Sequence, residues 1–169
     1  LVGNLFLPIA TRKFGKIRWF LIMMMAWSIG CILLFFIPAT NTVLIMVVTA
    51  VIGFAASSSS ICFGMMADCI VYGDFKMGVR DEGFVFSFQS LSVKLGTAIV
   101  GAVAIPLLYA VGYTPNVEQT QTVSTMINMI VNVVPGVLNI IAIIPMFWYK
   151  LDEKTVNDMT QKLEERREA

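Results

Sequence analysis

The chain turns on Met66-Ala67-Asp68-Cys69-Ile70-Val71-Tyr72-Gly73-Asp74-Phe75-Lys76-Met77-Gly78-Val79-Arg80-Asp81-Glu82-Gly83. Charges of both signs and the glycines Gly73, Gly78 and Gly83 lie here between two long apolar runs. A segment of that kind reads as a polar hinge joining two membrane helices. The flanking runs are too long for core strands or ordinary buried helices. Hydrophobic residues make up 57% of the chain and charged residues 14%, where a soluble domain carries roughly 25% charged. The fold class predicted is all-α, a polytopic bundle of membrane helices.

Outward from the hinge, the preceding span covers residues 42–72 and the following one residues 83–111. Two more are predicted at 19–37 and 126–149, while residues 1–9 are too short to cross and suit the last turns of an earlier helix. Pro38-Ala39-Thr40-Asn41 and Gly112-Tyr113-Thr114-Pro115-Asn116 supply turn chemistry between spans. Span 42–72 exceeds what a bilayer needs, so it tilts or projects beyond the membrane. Its serine block, 57–60, is unusual at mid-membrane. Ala56, Ser60, Gly64 and Asp68 recur on one face, which suits close helix packing; serine hydroxyls lining a polar cavity are the sharper alternative.

Charge sidedness gives a topology. Lys and Arg fall in loop 10–18, in the hinge 73–82, in the tail and at Lys94, and none fall in loops 39–41 and 112–125. Loops rich in Lys and Arg face the cytoplasm, which places the first loop, the hinge and the tail there. Residues 1–149 are then the membrane portion and residues 150–169 a charged cytoplasmic tail. Val156, Met159 and Leu163 share one face of that tail, which predicts a solvated amphipathic helix along the membrane surface. The chain starts at Leu1 within apolar sequence, and is expected to be the carboxy-terminal piece of something longer.

Several function classes are excluded by residue type. There is no His, and no nucleophile–base pair or metal-ligand spacing, so an enzyme is not expected. Cys31, Cys62 and Cys69 read as small core residues. No basic stripe suggests nucleic acid.

Lys94 stands apart as the basic residue away from any membrane boundary. Mid-bilayer placement of a lysine costs about 2.5–3.5 kcal/mol on insertion scales. Ser87, Ser90, Lys94, Thr97 and Gly101 fall on one helical stripe, with Gln89 near its edge. The pattern predicts a ligand or ion pathway, an interhelical ion pair being the alternative. No Asp or Glu falls at that depth, so the counter-charge is expected from helices outside this chain.

The residues Ala67-Asp68, Tyr72-Gly73-Asp74-Phe75-Lys76, Gly78, Arg80 and Glu82-Gly83 resemble the signature before helix eleven of the glycoside–pentoside–hexuronide:cation symporters. This is the melibiose-permease group of the major facilitator superfamily. Lys94, Gly112-Tyr113, Pro115-Asn116 and Gln119 extend the resemblance, and Phe14-Gly15-Lys16 adds a weaker match. It covers essentially the whole chain, from the end of helix eight through helix twelve. The resemblance implies twelve helices in two halves, alternating access, and a bacterial inner-membrane (plasma-membrane) location. It further implies sugar symport with Na⁺, Li⁺ or H⁺, without another cofactor. The expected partners are a sugar or glycoside, the coupling cation, the lipid bilayer and an amino-terminal half carrying the acidic cation ligands. Lys94 matches the helix-eleven lysine near the sugar and cation sites, and Gln89 and Ser90 match its polar neighbours. Asp68 and Arg80 match charges that close the cytoplasmic side, and Tyr72 belongs to the same signature. Two positions depart from the family pattern: Val71 replaces a frequent acid, and Ser59 stands where melibiose permeases carry a sugar-stacking aromatic. The alternative function is a non-transporting membrane fragment or interaction module.

Overall fold

A computed structural model describes residues 2–149 and 151–168, and every regular element among them is helical. Helix α1 (Val2–Phe14) and helix α2 (Lys16–Phe36) are separated by Gly15 alone, at φ 83°. Glycine takes that positive φ without a Cβ clash. Arg12 and Lys13 therefore end one helix and Lys16 and Arg18 begin the next, where the sequence predicts a short loop.

Helix α2 is the packing centre. A Cβ on its Gly30 would lie 2.6 Å from Ile52 Cγ1 of helix α3 (Thr42–Ala55). On the other side, a Cβ on Gly136 of helix α7 (Val134–Ile143) would lie 3.2 Å from the Ser28 carbonyl and 3.1 Å from Ile32 Cγ1. Small residues let backbones meet in lipid, where apolar burial gives helices little reason to associate. Asn139 completes the second contact, donating from Nδ2 to Met24 O at 3.0 Å and to Ser28 Oγ at 2.7 Å. Ser28 is fully buried there.

The span predicted at 42–72 is interrupted. Helix α3 ends at Ala55 and helix α4 runs Ser58–Met77. At the joint, Ser57, Ser59 and Ser60 amides donate three residues back, to the carbonyls of Phe54, Ala56 and Ser57. The helix tightens to a 3₁₀ turn without unwinding, since Ala56 and Ser57 both keep φ −61° and ψ −17°. Gly3 of α1 lies against this joint; a Cβ there would be 2.8 Å from Ser57 Oγ. The whole run, Thr42–Met77, has 36 residues, roughly 54 Å at 1.5 Å per residue. Its far end must project beyond the hydrocarbon, as its length predicts. Gly78 stops it at φ 68°.

Helix α5 (Glu82–Ala110) is capped by Asp81, whose side chain accepts from the Phe84 amide at 3.1 Å, and none of its residues is buried. In the following loop, Gln119 Nε2 donates to the carbonyls of Thr114 and Val117 at 2.6 and 2.7 Å. The last span begins at Gln121, earlier than predicted. It comprises helix α6 (Gln121–Asn128), a π turn (Met129–Val133), α7 and a 3₁₀ turn (Ile144–Trp148). The irregular turns abut Pro135 and Pro145, which have no amide to donate to the preceding turn.

Helix α8 (Glu153–Glu168) differs from its predicted solvated, surface-lying state: it packs on α4. Val156 and Met159 are buried, and the Arg166 guanidinium stands 5.0 Å from the Phe75 ring centroid. The projecting end of α4 supplies the apolar surface that the tail's narrow stripe needs.

Two outcomes follow. Gly136→Leu is expected to lower stability by about 1–3 kcal/mol through overpacking, read as a lower melting temperature in detergent. Gly101→Leu, where a Cβ meets nothing within 4 Å, is the control expected to melt unchanged. Met159→Glu is expected to release α8, which limited proteolysis of membranes would report as faster cleavage of the tail.

Candidate functional site

Polar side chains gather in three places: the hinge end of the bundle, one face of α5, and a cavity between the helices.

At the hinge end, Lys16 Nζ lies 3.2 Å from Asp68 Oδ2 and 3.3 Å from Oδ1. The pair joins the start of α2 to α4. Asp68's side chain is 9% exposed and that of Lys16 31%, so the carboxylate is desolvated and the ammonium only partly. A further strut is Tyr149, whose hydroxyl donates to Met65 O at 3.2 Å. Arg80 does not join this cluster; its Nε pairs with Glu82 Oε1 at 2.6 Å on an exposed turn. Tyr72 is also exposed. Of the three residues grouped by the sequence as a gate, Asp68 alone is tied into the interhelical network, and its partner is Lys16.

On α5, Ser87, Ser90, Lys94 and Thr97 are all exposed. The Ser87 hydroxyl donates back to the carbonyls of Gly83 and Phe84, and the Thr97 hydroxyl to Val93 O at 2.9 Å. Those two hydroxyls are therefore engaged by their own helix. Lys94 has no ion-pair partner among the described residues. Gln89 behaves differently. Five residues from Lys94, it points roughly 140° away around the helix and lines a cavity that the stripe does not reach. The predicted set thus divides between two faces of α5.

The cavity, of about 420 Å³, lies where α2, the α3–α4 joint, α5 and α7 converge. Trp27 and Phe20 wall it from α2, Ser58 and Ser59 from α4, Gln89 from α5 and Asn139 from α7. None of its lining residues is charged. Sequence reasoning missed Trp27 and Asn139, because one aromatic and one carboxamide in separate apolar spans carry no local pattern. The serine block was the legible signal. Among the described residues no three His, Cys, Asp or Glu side chains group to hold a metal ion.

Four helical stretches are long and apolar enough to cross a bilayer, which makes the chain a multi-pass membrane protein, and the cavity between them is mostly apolar with Ser58, Ser59, Gln89 and Asn139 on its wall. The chain belongs to the MFS/sugar transport protein family, whose model matches residues 1–153. It is 30% identical, over 100% of its length, to a protein of Salmonella typhimurium provisionally named a sulfoquinovose importer. It is 32% identical to the isoprimeverose transporter of Lactiplantibacillus pentosus over 92% of this chain, and 30% to an uncharacterized symporter of Bacillus subtilis over 95%. The chain spans 36%, 33% and 35% of the lengths of those relatives, respectively. No solved structure matches it.

The hinge pair gives a direct test. Lys16→Met strands a largely buried carboxylate. Because Lys16 is itself partly exposed, the expected loss is about 1–3 kcal/mol, below that of a fully buried pair. Adding Asp68→Asn should recover part of it, and a double-mutant cycle on melting temperature measures the coupling.

Proposed function

We propose that this chain works as part of a longer transporter that carries a sugar across the bacterial inner membrane by cation-coupled symport. The observation that carries the reading is Lys94, an ammonium deep in a membrane span on a helix that buries none of its residues. At roughly 18 Å from the start of α5, it lies near mid-bilayer, where an unpaired charge is costly. A lysine kept there is explained by a water-filled path or by an acidic group on helices outside this chain. The family membership and the relatives named for isoprimeverose and sulfoquinovose support a sugar as the species moved. The relative named a symporter supports coupling.

In this reading the hinge end faces the cytoplasm, consistent with the Lys and Arg at residues 12–18 and 76–80 and in the tail. The α5 stripe of Ser87, Ser90, Lys94 and Thr97 faces the substrate and cation pathway, where the acids that hold Na⁺, Li⁺ or H⁺ would come from the other half. Lys94 supplies positive charge beside that ion site and competes electrostatically with the coupling ion, so the site favours a bound cation only when its acids are fully engaged. Asp68 with Lys16 braces α4 on the cytoplasmic side, while Tyr72 and the Arg80–Glu82 pair stay exposed, where they can meet the other half as the gate closes. Alternating access then exchanges which end of the path is open while the bundle around α2 stays rigid.

The test is uptake by proteoliposomes containing the full-length transporter. Lys94→Val is expected to abolish cation-driven sugar accumulation while leaving the protein folded and inserted. Accumulation at the wild-type rate in that variant would sink the role given to Lys94.

A further inference from the structure

We infer that the outer groove between α2 and the end of the last span binds one anionic phospholipid, its phosphate held by Arg18 and an acyl chain laid along α2. This site requires a bilayer around the helices and does not depend on sugar transport.

The groove, of about 460 Å³, is walled by Leu21, Ile22, Met25 and Ile29 of α2 and by Ile143 and Phe147, where α7 passes into its 3₁₀ turn. Every residue lining it is apolar. Ile143 is buried, while Ile22, Met25, Ile29 and Phe147 stay exposed. At 3.6 residues per turn, these α2 positions lie opposite Phe20, Met24 and Trp27, which turn into the interior cavity. Gln89 of α5 lines that same cavity, so α5 and any helices that meet it lie on the far side and leave the groove to lipid. From Leu21 to Ile29 the wall covers roughly 12 Å, within the roughly 15 Å that one leaflet's hydrocarbon provides.

The rim of the groove separates it from ordinary lipid-facing surface. Arg18 precedes Leu21, Ile22, Met25 and Ile29 by three, four, seven and eleven residues, so one helical stripe carries the cation and then the apolar wall. Helical side chains lean toward the helix start, which sets the guanidinium at the membrane boundary, over the mouth of the groove. Arg18 is exposed and has no ion-pair partner among the described residues, whereas Lys16 in the same turn is spent on Asp68. The backbone adds charge of the same sign. Helix α2 begins at Gly15 with no side-chain cap and no acid in its first turn, so its positive end meets two cations. An anion from outside relieves that clustering, and phosphate suits the paired donors of a guanidinium.

A phosphate joined to an acyl chain fits the rim and the wall together. A zwitterionic lipid brings the same phosphate but sets its own ammonium beside these cations, which favours a headgroup with net negative charge. A second copy of the chain fits less well. Packed here about a two-fold axis along the membrane normal, it would set Arg18 near Arg18, and residues 1–67 contain no acid to offset them.

Native mass spectrometry of the longer protein containing this chain tests the site, with phosphatidylglycerol and phosphatidylethanolamine of identical acyl chains as probes. One phosphatidylglycerol is expected to bind at least about tenfold more tightly than phosphatidylethanolamine, the worth of one charge-assisted contact. Arg18→Gln should remove that preference. Arg12→Gln, which deletes an exposed charge on neighbouring α1, should keep it. Met25→Trp, which fills the groove without changing charge, should weaken phosphatidylglycerol binding severalfold. Equal binding of the two lipids by the wild-type protein overturns the site. An equal loss of preference in Arg12→Gln also overturns it, by reducing the effect to general attraction toward a basic surface. Unchanged phosphatidylglycerol binding in Met25→Trp overturns the acyl groove. A lipid-free dimer that Met25→Trp dissociates would put a second copy in the groove and overturn the lipid as its occupant.

Discussion

The approach of α7 to α2 at Gly136 is the contact on which the rest of the bundle depends. Lipid tails are as apolar as Leu, so membrane helices gain little by hiding apolar faces from their surroundings. They associate where backbones come close and where polar groups pair. Gly136 lets α7 settle against the Ser28 carbonyl, and Asn139 then spans the gap with two hydrogen bonds. Gly30 does the same for α3 on the other flank of α2. With α2 held from two sides, its start carries Lys16 to Asp68 and its middle turns Phe20 and Trp27 into the cavity. The brace and the candidate site are consequences of one packing centre.

Helix α5 obeys a different rule. It is capped at Asp81 and continuous over 29 residues, yet it buries none of them. Its one link to the cavity is Gln89, while Lys94 looks the other way. A long helix with polar residues on two faces and a weak grip on its neighbours is suited to moving between them. The broken span before it contrasts with this. There α4 is fixed at its far end by the Lys16 pair, by Tyr149 and by the docked α8, so any flexing of the run concentrates at the tightened joint near Ser57. In the proposed transport cycle, α5 and that joint are where movement belongs.

The helical class, the span order and a turn at Gly78 were legible because length, hydropathy and turn residues act locally; the hinge predicted at 73–82 is shorter in the structure, since α4 stays helical through Met77 and α5 starts at Glu82. The Lys94 anomaly was legible for the same reason, since depth along a helix can be counted. What escaped was anything that depends on which helices are neighbours. Asp68 read as half of a pair, but nothing local names Lys16 as the other half. The tail's stripe of Val156, Met159 and Leu163 predicts a partner surface without saying whether lipid or protein provides it, and α4 projecting past the membrane decided for protein. The serine block announced something unusual, but whether it packs, lines a cavity or tightens the helix depends on three other helices; Ser58 lines and Ser59 back-bonds. Gln89 and Lys94 were grouped by proximity in sequence, and the helical rotation between them sends them to different places.

The central claim is that the longer protein containing this chain moves sugar uphill at the expense of an ion gradient. Its most direct measurement is sugar accumulation in proteoliposomes under an imposed inward gradient of Na⁺, Li⁺ or H⁺, before and after an ionophore collapses that gradient. The account predicts a transient internal sugar concentration above the external one that vanishes with the gradient. Uptake that merely equilibrates and is indifferent to every ion gradient would contradict it.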